Sequence, residues 1–350
     1  MPAVSRHPHA CLTNIAPVSV GAGLVSLDRL LIGRDRVNAN QRYAGGSCGN
    51  VLAILAHLHW QSYPVARLGT DRGARILIED LKSFQVNTDF VEQENKGITP
   101  VIVLRLAQDQ KGGYRSRFEW KNPRSGDWLP RYRPLPKAFA ERITPRLPNA
   151  NIFYFDRADA SLFMLASRMR QKGTIVFFEP SSCRDDALFT ECLSVSDIVK
   201  YSAERIPRPP KNPQAISPRL EIQTLGDKGL RYRLKVGTTL PGPWRHLPAF
   251  QAESFKDATG CGDWCSAGII DQLCAKDRED LMQLSEAEVI RGIRFGQALA
   301  AINCNYEGAR GPMYELSNGV LHSHIQRILA SDQHSQHSGT EITNAFAAHA

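Results

Sequence analysis

The sequence lacks the features of a membrane protein and of a disulfide-stabilised secreted protein. It has no run of about 18 apolar residues, so no membrane span is expected. Residues 1–17 lack an apolar signal core and are rich in histidine and proline, which favours a short tail over a secretion signal. None of the eight cysteines lies in a Cys-x-x-Cys pair, so we expect reduced, mostly buried thiols in a cytoplasmic protein.

The composition is that of a globular protein with excess positive charge. Hydrophobic residues make up 42% and charged residues 22% of the 350 positions, and the formal net charge is +8. A basic surface suits an anionic partner such as a nucleotide. The basic residues form no single tract, so we expect a small-molecule partner and neither nucleic acid nor membrane.

Strand-like and helix-like segments alternate along most of the chain. Apolar, β-branched runs predict strands at 18–27, 63–69, 151–156, 174–180, 197–202, 221–226 and 230–236. Apolar residues with helical spacing predict helices at 50–60, 74–84, 161–173, 186–193 and in the region from about 263 to 304. Strands separated by such helices indicate a mostly parallel sheet covered by helices on both faces.

Three segments do not fit that sheet. Strands with polar alternation at 98–107 and 114–120 predict a small lid attached to it. The proline- and arginine-rich stretch 121–148 is interpreted as a loop or covering segment. The aromatic segment 118–136, which overlaps this stretch, fits a substrate-gating flap, a partner surface or a packed loop.

These patterns predict one domain between two tails. The last 20 residues are polar and have no periodicity, which is typical of a disordered tail. The expected limits are an N-terminal tail at 1–17, a domain at 18–330 with a lid from segments near 28–45 and 97–136, and a C-terminal tail at 331–350.

The most informative segment is Asp257-Ala258-Thr259-Gly260-Cys261-Gly262-Asp263, directly before a predicted helix. Backbone N–H groups in a glycine-rich turn can converge on an anion, and a helix N-terminus adds free N–H groups and positive potential. A carboxylate beside a bound phosphate is repelled by it but can accept a proton from an attacking hydroxyl. The simpler alternative is a helix cap and a tight turn.

Several motifs, in the same order, resemble those of the ribokinase-like (PfkB) carbohydrate kinases. Segment 257–263 resembles the second signature of that family, with Cys261 where alanine is usual. Segment 44–50, Ala-Gly-Gly-Ser-Cys-Gly-Asn, resembles the first signature. Segments 66–91, 224–229 and 300–311 resemble the stretch after the first signature, the nucleotide-side turn and the segment that borders the adenine. The resemblance implies a three-layer α/β/α sandwich with a mostly parallel central sheet and a small β lid.

The resemblance also assigns roles at the second signature and in the substrate site. Asp263 would be the catalytic base, and the amides of Gly260, Cys261 and Gly262 would form an anion hole. Expected substrate contacts are Asp28, Gly45, Gly46, Asn50, Asp156 and Arg157.

Some of these substrate contacts have structural alternatives. The alternative for Asp28 is an aspartate on a surface loop, and the alternative for Asn50 is the N-cap of the following helix. Asp156 and Arg157 end an apolar strand, a usual ligand-facing position, yet an ion-paired structural role is equally open. Ser47 stands where ribokinase-type sequences often have lysine, which argues against ribose.

A second set of residues would contact the nucleotide and its phosphates. Its members are Lys200, Glu204, Thr224, Gly226, Gly229 and Asn303. The segment from Lys200 departs from the family pattern, because Ser202 replaces asparagine and Arg205 replaces glutamate. Either Glu204 substitutes through a local shift, with water between it and Mg²⁺, or Mg²⁺ is handled differently; no direct metal ligand is expected. A buried amide is the alternative for Asn303.

The expected function is transfer of the γ-phosphate of ATP to a hydroxyl of a sugar or sugar-like substrate, with ATP and Mg²⁺ as cofactors. A nucleoside kinase of the same fold and a non-catalytic nucleotide- or sugar-binding regulatory protein are the alternatives. Lid strands of this family can pair between subunits, so a homodimer is a further expectation.

Overall fold

The structure is a computed structural model. It describes residues 16–32, 42–95, 97–108, 114–183, 185–207, 218–236 and 240–331. The expected tails lie almost wholly outside these ranges.

Strands and helices alternate along the described chain. The strands are β1 Val18–Ala22, β2 Ser26–Ile32, β3 Arg42–Gly45, β4 Gln61–Gly69, β5 Val91–Glu94, β6 Val101–Gln108, β7 Tyr114–Glu119, β8 Ile152–Phe155, β9 Ile175–Phe178, β10 Ile198–Ser202, β11 Leu220–Thr224, β12 Leu230–Val236, β13 Leu240–Pro241 and β14 Arg245–Leu247. The helices are α1 Ser47–His57, α2 Arg72–Ser83, α3 Lys137–Ile143, α4 Ala160–Gln171, α5 Asp186–Ser194, α6 Cys261–Leu273, α7 Arg278–Gln283, α8 Glu286–Asn303, α9 Gly311–Glu315 and α10 at 318–331.

The large sheet is mostly parallel, as the alternation of strands and helices predicts. Its order is β13-β12-β11-β10-β9-β8-β1-β4-β5, and β14 also pairs with β12. In this order, all neighbouring strands between β5 and β11 pair in parallel, and β12 pairs with β11 in antiparallel orientation. The carboxyl ends of the parallel strands therefore share one edge, where open α/β sheets bind ligands.

Helices cover both faces of this sheet, which confirms the three-layer prediction. Successive strand residues point to opposite faces. In β8, Tyr154 joins the core beneath α1, α6 and α8, while Phe153 and Phe155 join the core beneath α3, α4 and α5. All three β8 side chains are fully buried, so both faces of the central strand are covered.

A second sheet of four strands, in the order β3-β2-β6-β7, forms the lid. The sequence predicts one strand over 18–27, but the chain leaves the large sheet after Ala22 and enters the lid at Ser26. Gly23 makes this change of direction with a φ of 147°. A Cβ at Gly23 would lie 1.9 Å from a carboxylate oxygen of Asp156, so the close approach requires glycine.

Two segments have finer structure than the sequence pattern indicates. The proline-rich stretch 121–148, interpreted as a loop or covering segment, contains helix α3, in which Phe139, Ala140 and Ile143 bury one face. The region from 263 to 304 is helical, as predicted, and contains three helices. Asp277 caps α7 and Ser285 caps α8 through a reciprocal bond with Glu288, so new helices begin there.

None of the helices in the described ranges is both long enough and apolar enough to cross a membrane.

Helices α6 and α8 are in backbone contact through two glycines. A Cβ on Gly268 would lie 2.7 Å from the Cα of Gly296, and a Cβ on Gly296 would lie 2.5 Å from the carbonyl oxygen of Cys265. This packing fixes the start of α6 relative to the end of α8, so the 257–263 segment is held between two rigid elements.

We expect Gly296→Ala to lower the free energy of unfolding by about 1–3 kcal/mol, because the added methyl overlaps backbone that cannot move alone. Urea unfolding followed by tryptophan fluorescence measures the loss. Gly319→Ala in α10 is the control, since a Cβ there meets no atom within 4 Å, and it should cause no loss. Equal stability of Gly296→Ala and the unsubstituted protein would contradict the close helix contact.

Candidate active site

The two signature segments meet at Asp263. This residue lies in the first turn of α6, and its Oδ2 accepts a hydrogen bond of 2.7 Å from Nδ2 of Asn50 in α1. Asn50 is only 3% exposed, and its Oδ1 has no partner among the described residues. The amide nitrogen of Asn50 therefore fixes the carboxylate, and the amide oxygen is an acceptor without a donor within the described ranges.

The turn before Asp263 leaves N–H groups free. Gly260 is the N-cap of α6 with a φ of 76°, and Trp264 N–H donates to its carbonyl at 2.9 Å. The N–H of Cys261 donates to the carbonyl of Ala258 at 3.2 Å. The N–H groups of Gly260, Gly262 and Asp263 have no acceptor in the described part of the chain. Free donors at a helix N-terminus form an anion-binding arrangement.

Buried side chains support this turn from behind. Asp257 accepts from the N–H and the hydroxyl of Thr259 and from Gly308 N–H, at 2.8 to 3.0 Å. Asn303 is fully buried and donates to the carbonyl of Thr259 at 2.8 Å. Its geometry matches the buried-amide alternative, since it holds the turn without facing solvent.

Glu179 is the centre of a polar cluster beneath Asp263. Its carboxylate pairs with Lys200 Nζ at 2.5 Å and accepts hydrogen bonds from the hydroxyls of Tyr154 and Ser266. Lys200 is 1% exposed and also donates to the carbonyl of Gly262 at 3.1 Å. Lys200 therefore ties the anion-binding turn to the strand edge.

Burial is the main reason that the pKa of Asp263 rises to about 7. Repulsion from the carboxylate of Glu179 raises the pKa further, while the Asn50 hydrogen bond and the charges of Lys200 and Arg205 oppose the rise. The result is a carboxylate that exchanges a proton near neutral pH, as general acid–base catalysis requires.

Asp28 and two glycines lie where the lid joins the large sheet. Burial raises the pKa of Asp28 to about 6, against a hydrogen bond from the Ser26 hydroxyl and the charge of Arg310. A Cβ on Gly45 would lie 2.1 Å from the Asp28 carboxylate, and one on Gly46, with a φ of 80°, would lie 2.4 Å from a backbone carbonyl. Both positions therefore require glycine.

A small cleft opens between the lid and the turn after α8. The lining residues are Asp28, Leu30, Ala44, Leu104, Thr259, Gly308, Ala309 and Arg310. Sequence reasoning missed Arg310, whose Nη2 donates to the carbonyl of Ala44 and pairs with Asp80. Its Nε and Nη1 have no partner among the described residues, although the side chain is 1% exposed.

Asp156 holds two site segments together. It is fully buried, and its carboxylate accepts from Leu24 N–H at 3.0 Å and Cys48 N–H at 3.2 Å. Nη1 of Arg157 lies 3.4 Å from the same carboxylate. This geometry matches the ion-paired structural alternative, in which Asp156 fixes the entry to the lid against the start of α1.

No protein-family model matches the sequence. A probable chloroplastic fructokinase of Arabidopsis thaliana is 25% identical over 299 residues, which cover 77% of this chain and 72% of that protein. The crystal structure of a Xylella fastidiosa fructokinase with bound ATP matches with a TM-score of 0.67 at 19% identity, over 89% of this chain and 98% of that one. An Arabidopsis thaliana ribokinase complexed with ribose and ATP matches with a TM-score of 0.63 at 19% identity, over 89% and 99%.

The chain has the ribokinase-like fold. The resemblance that the ordered motifs predict is confirmed, as is the three-layer sandwich with its lid.

Within the ribokinase-like fold, the expected nucleotide residues lie in or just after β10 and β11, except Asn303, which ends α8. Thr224 ends β11, and Gly226 and Gly229 form the next turn with φ values of 66° and 91°. A Cβ at Gly226 would meet open space, whereas one at Gly229 would lie 2.2 Å from the Leu247 carbonyl oxygen. Glu204 is exposed in the turn after β10, and its N–H donates to the Ser202 hydroxyl.

The described residues can be compared with what a Mg²⁺ ion bound together with ATP would need. No group of three or more histidine, cysteine or acidic side chains in those ranges could hold an ion. Mg²⁺ commonly keeps several waters and is bound by one or two carboxylates together with substrate phosphates. The free N–H groups before Asp263 and the exposed carboxylate of Glu204 fit that arrangement, in which phosphate oxygens supply most of the direct ligands.

We expect Asp156→Asn to lower the free energy of unfolding by about 1–3 kcal/mol, because an amide has only one oxygen for the two N–H donors of Leu24 and Cys48. Urea unfolding measures the change. Asp127→Asn, on an exposed loop, is the matched control and should be neutral. An unchanged midpoint for Asp156→Asn would show that this carboxylate does not hold the two segments together.

Proposed function

We propose that this chain is an ATP-dependent kinase that transfers the γ-phosphate to a hydroxyl of a sugar or sugar-like substrate, with Asp263 as the general base. The observation that carries the proposal is the position of Asp263. Its carboxylate, with a pKa of about 7, lies in the first turn of a helix whose N-terminal N–H groups are free. A base beside an anion-binding turn is what phosphoryl transfer to a hydroxyl needs.

The substrate would occupy the cleft beneath the lid. Asp28 supplies a carboxylate that can accept hydrogen bonds from two hydroxyl groups at once, which suits a vicinal diol. The unused Oδ1 of Asn50 is a buried acceptor, and leaving such an atom unpaired costs about 1–3 kcal/mol. A substrate hydroxyl that donates to it would remove that cost and would lie beside the Asp263 carboxylate that Asn50 holds.

In the proposed reaction, Asp263 removes the proton of the attacking hydroxyl. The free N–H groups of Gly260, Gly262 and Asp263 stabilise the negative charge on the transferred group, an effect whose loss typically costs on the order of 10²–10³ in rate for one donor. The N–H of Cys261 joins them only if its bond to Ala258 opens. Lys200 keeps the turn in place through the carbonyl of Gly262. Closure of the lid over the cleft excludes water, which limits hydrolysis of ATP.

Mg²⁺ bound together with ATP would neutralise part of the phosphate charge. On the protein side, Glu204 is the proposed contact through water. Arg205 stands where the family usually has glutamate, and its charge acts on the same site, because it lowers the pKa of Asp263. We therefore propose that the positive charge of Arg205 offsets part of the negative charge of the phosphates. An acidic residue at this position would leave that charge for the metal to neutralise.

We expect Asp263→Asn to bind ATP but to turn over at least ~10²-fold more slowly, because the amide cannot take the proton. An ADP-release assay over a panel of sugars and nucleosides, with isothermal titration for ATP binding, measures both quantities. Asp89→Asn, at an exposed position, should behave like the unsubstituted protein. Near-normal turnover by Asp263→Asn would remove the mechanism. If the unsubstituted protein binds nucleotide but turns over no member of the panel, that result would support a regulatory protein.

The pH dependence should follow Asp263. The base works only when it is unprotonated, so kcat/KM is expected to fall as the pH drops through about 7, the pKa that burial and Glu179 produce. Glu179→Gln should move this acid limb to lower pH, since it removes the repulsion and frees the positive charge of Lys200. ATP is common to both profiles, so its own ionisation cancels in the comparison. An acid limb that does not move in Glu179→Gln would exclude Asp263 as its source.

A further inference from the structure

Two cysteines meet at the anion-binding turn. Cys261 is the first residue of α6, and Cys304 is the C-cap residue of α8. Their Sγ atoms are 3.0 Å apart. A disulfide bond is about 2.0 Å long, so the sulfurs need to approach by only about 1 Å.

The backbone already holds both cysteines in place. Helices α6 and α8 are in contact through Gly268 and Gly296. The carbonyl of Cys304 also accepts from Lys256 N–H at 2.8 Å and from Asp257 N–H at 3.3 Å, at the start of the turn segment. Bond formation therefore requires side-chain rotation and a small shift of the turn, with no rearrangement of the helices.

The pair is more accessible than most other cysteines of the described chain. Cys261 and Cys304 are partly exposed, whereas Cys48, Cys192, Cys265 and Cys274 are buried. Contact with Cys261 lowers the pKa of Cys304, and a thiolate is the nucleophile in thiol–disulfide exchange. Cys304 is therefore the thiol that reacts first.

We propose that Cys261 and Cys304 form a reversible disulfide that changes the anion-binding turn. The Cys304 thiolate attacks one sulfur of a low-molecular-weight disulfide, which releases one thiolate and leaves a mixed disulfide on Cys304. Cys261 loses its proton to water, attacks the Cys304 sulfur and expels the second thiolate. Two electrons pass from the two cysteines to the external disulfide, and excess dithiol reverses both steps.

The expected consequence rests on the proposed kinase function. Cys261 lies between Gly260 and Gly262, so the part of the ~1 Å approach that side-chain rotation does not supply displaces the turn whose N–H groups would hold the phosphate. A misplacement of 1 Å in a catalytic site can cost about 10²-fold in rate. We expect the oxidised protein to phosphorylate its substrate at least ~10-fold more slowly and to recover on reduction.

Peptide mapping by mass spectrometry tests the bond without reference to activity. The full chain is incubated with oxidised glutathione, free thiols are alkylated, and the protein is digested without reductant. We expect a peptide pair joined through Cys261 and Cys304 that disappears after dithiothreitol. Absence of that pair, with both thiols alkylated, would overturn the proposal even if the kinase assignment is correct.

Activity before and after oxidation tests the consequence. Cys304→Ser should lose the response to oxidised glutathione, measured against the reduced rate of the same variant, whereas Cys183→Ser, at another partly exposed cysteine, should keep the response. A disulfide that forms without a change in rate, or inactivation that persists in Cys304→Ser, would overturn the switch. If no substrate is turned over, thermal-shift titration with ATP compares nucleotide affinity in the two redox states, and equal affinities would also overturn it.

Discussion

The hydrogen bond between Asn50 and Asp263 is the contact on which the proposed chemistry depends. It joins residues 213 positions apart in the chain, and it brings the lid-side segment to the start of α6. The large sheet makes the contact possible, because α1 and α6 pack on the same face. Lys200, through the carbonyl of Gly262, and the glycine contact of α6 with α8 hold the turn that carries the carboxylate, while the charge of Glu179 repels it. Its raised pKa is thus a property of this packing and not of the aspartate alone.

Much of the fold could be predicted from the sequence, because local pattern and global topology agree. Apolar strands such as β8 and β9 are buried on both faces, and the alternation with helices leaves few choices other than a parallel sheet. The prediction that failed was local. The 18–27 run continues as apolar residues across Gly23, so composition gave no sign that the chain changes sheets there. The boundaries between the helices within 263–304 were not predicted, because the three helices continue one helical pattern.

The site could be predicted only where glycines and charged residues form a recognisable order. Gly260, Gly262, Asp263, Gly45, Gly46 and Asn50 stand in two short motifs, and the structure brings both motifs together. The central position of Glu179 and the burial of Arg310 depend on contacts between segments far apart in the chain. Asp156 and Asn303 also show that a polar residue at a strand or helix end can be buried as a support. Sequence position alone does not distinguish that role from ligand contact.

A crystal structure with ADP, aluminium fluoride, Mg²⁺ and a sugar would test the central claim most directly. The account predicts that the planar fluoride group accepts hydrogen bonds from the N–H groups of Gly260, Gly262 and Asp263. It also predicts a substrate hydroxyl within hydrogen-bond distance of both the Asp263 carboxylate and the Asn50 amide. A fluoride group bound away from the start of α6, or an Asp263 carboxylate turned from the hydroxyl, would contradict it.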